Sequence, residues 1–166
     1  MPPVRAPGAV CLGVRARCTG WAGVVVNKED TIVGNRAVIA FGSGKSDKEF
    51  SPAIYLHWNG GRDSVEAFLA VAKKFDLRCD DYGCARLAQI IGNWIGGGLG
   101  IGVGCYGAMD TNNHDNGVYW VQGWEIVRRE YHKGSVYEQQ NHDHDEIVQE
   151  ILEANASIPF IYSVRV

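Results

Sequence analysis

The sequence predicts an α+β domain in which an antiparallel sheet packs one face against two or three helices, and three observations carry that reading. Short β-branched or apolar runs lie close together at 23–27, 36–41 and 50–58. Two helical stripes then follow one another over 63–75 and 80–95, and strand-like runs resume at 99–107 and 118–132. Adjacent strands and consecutive helices favour antiparallel pairing over a doubly wound sheet. The segment order reads ββ(β)ααβββα.

Residues 1–22 mix Pro, Gly, Ala, Cys and Arg without sustained periodicity, so they read as a disordered or loosely packed arm ahead of a single domain over 23–166. Arg15 and Arg17 interrupt the apolar centre that a secretory signal requires. In the strand at 50–58, Ala53, Tyr55 and His57 alternate with Ile54, Leu56 and Trp58, and the second set is expected in the core. Asp63 with Glu66 resembles a capping box opening the first helix, whose buried stripe is Val65, Phe68, Leu69, Ala72 and Phe75. Asp80 or Asp81 caps the second helix, which ends at the glycines 96–98. Its apolar stripe is Leu87, Ile90, Ile91, Trp94 and Ile95. The run 99–107 alternates with glycine, so one of its faces is nearly bare and lets a ligand or another element approach the backbone. Asn116-Gly117 closes a polar loop, a hairpin turns at Gly123, and a last helix runs over 145–154. The tail 157–166 reads as a strand or an interaction arm.

With 166 residues, 46% of them hydrophobic, the chain is long enough to bury its own core. No uncharged apolar run is long enough to span a membrane. A net charge of −3, with basic residues clustered only at Arg5, Arg15 and Arg17 and at Arg128, Arg129 and Lys133, does not favour nucleic-acid binding. Five cysteines at irregular spacing fit a reduced, cytoplasmic setting better than a disulfide framework.

The motifs that would imply a cofactor or metal each fail on a stated residue. In FGSGKS the glycine a Walker loop needs is replaced by Ile39, and Pro52 follows where a phosphate-binding helix should start. Gly102, Gly104 and Gly107 match a dinucleotide fingerprint by letter, but no helix follows. Asp110 to Asn116 concentrates oxygen atoms, yet the bidentate Glu of a calcium loop is Val121. Cys79 and Cys84 have no matching second ligand pair nearby. The sequence therefore calls for no cofactor and no metal.

A binding surface is what the remaining polar groups suggest. Tyr55, His57 and Arg62 form one set, and Tyr82, Arg86, Gln89 and Asn93 form a row on the second helix away from its apolar stripe. Arginine suits an anion, asparagine reads a hydrogen-bonding edge, and a tyrosine ring stacks on a planar group. A small molecule of nucleotide type or a host protein fits this set. The alternative is a small hydrolase or transferase in which His57, oriented by an aspartate of the 110–115 loop, is the general base. Tyr119, Trp120 and Trp124 are candidates for a homo-oligomer interface, with core packing the simpler account of at least one ring.

The strings SPAIYLHWNGGRDSVEAFL, YGCARLAQIIGNWIGG and DNGVYWVQGWEIV together resemble small proteins carried by phages, prophages and plasmids. The resemblance spans about residues 35 to 130. It implies an accessory protein that acts by occupancy, binding a host factor or sequestering a small molecule.

Overall fold

The computed structural model describes residues 35–96, 100–133 and 142–157, all of which belong to one compact unit, Ile32–Val166. The expected arm at 1–22, the strand expected at 23–27 and residues 158–166 of the tail lie outside the described residues.

β1 (Ala37–Phe41) sits at the centre of a five-stranded sheet, and all five of its residues are buried. Its run of apolar residues without alternation is what a strand covered on both faces requires. The sheet order is β3 (Ile101–Cys105), β2 (Pro52–Leu56), β1, β4 (Val118–Gln122) and β5 (Glu125–Glu130). Three pairings are antiparallel as expected, but β1 and β4 run parallel, so the sheet is mixed. The cause lies in the loop after β3, which returns the chain to the end where β1 began. There Asn116 N donates to Arg36 O at 3.0 Å and Val38 N to Gly117 O at 2.9 Å, so β4 starts beside the start of β1.

Three helices cover one face: α1 (Arg62–Lys74), α2 (Asp81–Trp94) and α3 (His144–Asn155). Ile39, Phe41, Ile54, Leu56, Tyr119 and Val121 of the sheet meet Val65, Phe68, Leu87, Ile90, Ile91 and Ile151 in the main core. The expected capping box at Asp63 is not what opens α1. The helix starts one residue earlier, with Gly61 at the cap position, and the buried Asp63 carboxylate accepts from Ser64 N (2.8 Å) and His142 N (3.2 Å). It ties the approach to α3 instead of capping α1. Asp80 does cap α2, accepting from Gly83 N at 3.0 Å, and Asp143 caps α3.

The backbone hydrogen bond from Gly83, with Arg78 beside it, holds the Asp80 carboxyl below its ordinary range. A depressed folded-state value stabilises the fold above the ordinary carboxylate pKa and loses that contribution as pH falls through the lower value. Melting curves recorded between about pH 6 and pH 2 should therefore converge at the acid end for wild type and Asp80→Asn, with wild type ahead near neutrality. A constant gap across the whole range would contradict the assignment.

The β4–β5 hairpin turns on Gly123 and Trp124, both at positive φ (58° and 62°), the signature of a type I′ turn. Tryptophan is an unusual occupant of that conformation. Burial compensates, since Trp124 is 6% exposed, meets Phe41 edge-on at 5.5 Å and donates from Nε1 to Leu77 O at 2.7 Å.

The opposite face, free of α-helices among the described residues, carries a second, smaller core of Val38, Ala40, Ala53, Val118, Trp120 and Tyr106, with Tyr55 and Met109 against it. Trp120 stacks at a tilt on Tyr106, ring centroids 4.8 Å apart, and Gly44 lies on the indole so closely that a Cβ there would fall 2.6 Å from Cε2. Glu130 is clamped by the Tyr106 hydroxyl (2.9 Å), Lys48 (3.8 Å) and Arg128. The aromatic segment expected to offer an interface is thus interior: Tyr119 and Trp120 are fully buried and Trp124 nearly so. Among the described residues, no helix is long and apolar enough to cross a membrane.

Candidate functional site

The polar groups of the helix-free face converge where β2 ends. Tyr55 lies opposite Val38 on one side and Gly102 on the other, which puts its side chain on that face. Because Gly102 has no side chain, the flank of the tyrosine toward the sheet edge stays open. A Cβ on Gly102 would sit 3.5 Å from Tyr55 Cβ. His57 follows two residues later, its Nδ1 3.4 Å from the Tyr55 hydroxyl. Its backbone is held from both sides, His57 N donating to Gly100 O (2.8 Å) and Asn35 N to His57 O (3.3 Å). Such bracing fixes a site before any ligand arrives.

Trp58, expected in the core, is 53% exposed. The strand ends at Leu56, Asn59 turns at φ 56°, and the alternation that would have carried Trp58 inward stops before it. Its ring meets His57 edge-on at 5.0 Å. Tyr55, His57 and Trp58 thus form a graded set of rings, from half-buried phenol to exposed indole.

Arg36 and two aspartates frame this set. Arg36 donates to Asp115 Oδ2 from Nε at 2.7 Å and from its backbone N at 3.0 Å. Burial raises the Tyr55 phenol above its ordinary value, Arg36 pulls it back, and Asp110 and Asp115 push it up again. The phenol is therefore neutral at physiological pH and available as a hydrogen-bond donor. Asp115 is engaged by Arg36, whereas the side-chain partner of His57 is Tyr55. The histidine–aspartate dyad of a general base is not formed by this pair.

The 110–117 loop owes its shape to asparagine chemistry. Asn113, 1% exposed, donates to Asp110 O (3.2 Å) and Gly117 O (3.3 Å) while its Oδ1 accepts from Asp115 N (3.2 Å) and Gly117 N (3.0 Å). Asn116 bonds Asn35 and Arg36 O. The Asn113 and Asn116 amides are thus engaged in the turn, and no group of three or more His, Cys, Asp or Glu among the described residues is placed to hold a metal.

The other expected residues lie in the helical layer, on the opposite side of the sheet from Tyr55. Arg62 pairs with Glu66 at 2.6 Å. Tyr82 is exposed, with the guanidinium carbons of Arg78 and Arg86 at 5.7 and 5.9 Å from its ring centre, and Gln89 is exposed further along the helix. Asn93 donates to Asn155 Oδ1 at 2.8 Å, joining α2 to α3. The structure brings Tyr55 to His57 but brings neither of them to Arg86, Gln89 or Asn93. Arg36 escapes a reading of the sequence because its meaning depends on a partner 79 positions away. No family model, curated protein or solved structure matches this chain.

Proposed function

We propose that the helix-free face is the binding site of a planar, nucleotide-like small molecule, held without covalent chemistry, and that the chain acts by occupancy as an accessory protein of a phage or other mobile element. The observation that carries the binding site is the exposed Trp58 ring beside the fixed Tyr55–His57 pair, next to the half-buried glycines Gly100 and Gly102. An indole presents a stacking surface, a neutral phenol and an imidazole read the edge of a base, and the glycines leave a ring room to lie down. The mobile-element role rests on the resemblance of the 35–130 region.

Titrating the protein with the four ribonucleoside monophosphates while following tryptophan emission tests the site. Saturable quenching is expected in wild type and in Arg86→Ala. Tyr55→Ala should weaken it at least about tenfold, the equivalent of one lost contact of roughly 1.4 kcal/mol, and Trp58→Ala should abolish the signal. Quenching that depends on Arg86 and not on Tyr55 would move the site to α2. Flat titrations, together with a bare protein mass in native mass spectrometry of freshly purified material, would refute small-molecule binding.

A further inference from the structure

The two edges of the sheet are chemically unlike. β5 carries Glu125, Arg128, Arg129 and Glu130, charges of the kind that keep an edge from pairing with foreign strands. β3, IGVGC, carries none, and among the described residues it has a neighbour on one side only. The antiparallel register with β2, with His57 N donating to Gly100 O and Tyr106 N to Ser51 O, directs the backbone groups of the even-numbered residues toward β2. The N–H and C=O groups of Ile101, Val103 and Cys105 therefore point out of the sheet.

Exposed apolar side chains gather along the same edge, with one carboxylate, Glu49, beyond the strand against Gly107. Val103, at its middle, is 58% exposed. Trp58 stands at the end marked by Gly100, where a Cβ would be 3.7 Å from its ring. Phe50, 80% exposed, stands at the other end, next to Ser51 and the Cys105–Tyr106 turn.

We propose that this edge is a self-association surface on which a second copy of the chain lays its own β3, antiparallel and centred on Val103. The strand is nearly palindromic. A twofold axis at Val103 places Gly102 opposite Gly104 of the second copy and Ile101 opposite its Cys105, so small residues meet small and apolar meet apolar. Each outward backbone group then finds its complement, and neither β3 strand carries a charge against the other. The same axis brings the Trp58 end of one copy to the Phe50 end of the other, extending the contact beyond the strands. A standard interface buries roughly 800 Å² per partner, and one short edge is a small contact by that measure, so the dimer is a weak one.

Light scattering of the full chain should show a species of twice the 18.2 kDa chain mass at about 100 µM and its dissociation on dilution. Val103→Lys should stay monomeric throughout while melting at the wild-type temperature. Wild type that is monomeric over the whole range, or a dimer that survives Val103→Lys, overturns the proposal. If the variant does not fold, hydrogen exchange on wild type decides. Protection of the Ile101, Val103 and Cys105 amides that falls as the protein is diluted supports pairing between copies. Protection that is absent, or the same at every concentration as when another part of the same chain covers the edge, refutes it.

Discussion

Trp120→Ala is expected to lower the unfolding free energy by about 4 kcal/mol, a loss near the upper end for any single core truncation. The indole is fully buried on the helix-free face, stacked on Tyr106 and covered by Gly44. Removing it leaves a void between the sheet and the segments that cover it. Its Nε1 has no hydrogen-bond partner among the described residues, so part of its burial works against stability. Trp120→Phe, which keeps an aromatic ring and deletes the unpaired N–H, should cost much less, under about 1.5 kcal/mol. Urea unfolding of the three proteins checks both figures. If Trp120→Ala lost less than about 1 kcal/mol, the helix-free core would contribute little and the face would be open in solution.

Asn113→Ala should cost about 3 kcal/mol and act on the binding site as well as on stability. One buried amide serves three stretches of backbone, at Asp110, Asp115 and Gly117; alanine removes all four bonds and takes from the buried Gly117 N its side-chain acceptor, while Gly117 O keeps Val38 N. Gly117, at φ 65°, begins the return into β4, so the loss spreads to the parallel pair. Asp115 would no longer be presented to Arg36, and the frame around Tyr55 would loosen. Asn113→Asp keeps the acceptor and deletes the two donated bonds, so it should fall between wild type and alanine. Denaturation midpoints, with hydrogen exchange over 110–117, separate the loop effect from a global one. Faster exchange in this loop without a shift in midpoint would show that the loop folds independently of the sheet.

Periodicity makes the helices readable. The expected ranges of α1 and α3 fall within a residue or so of Arg62–Lys74 and His144–Asn155, and Asp80 caps α2, because stripes and caps are local chemistry. The hairpin at Gly123 is equally local. Strand order is not, since nothing near β1 announces a partner 80 positions later. A partial signal exists: the unbroken apolar runs at 37–41 and 118–121 mark strands covered on both faces, and the second cover has to be found among loops. In the site, alternation places Tyr55 correctly and then misplaces Trp58 by running past the turn at Asn59. Arg36 carries no local signal, because its contact with Asp115 depends on the parallel pairing that brings the two segments together.

That pairing governs how the chain can be made. β1 leaves the ribosome early, finds β2 almost at once, and then waits with its other edge bare until Val118 to Gln122 has been synthesised. Contacts this distant along the chain close slowly, and a strand edge left waiting is the part of a nascent protein most prone to wrong partners. Fragments that stop before β4 are therefore expected to be recovered as insoluble material, and synthesis of this domain is an all-or-nothing event decided near its last quarter.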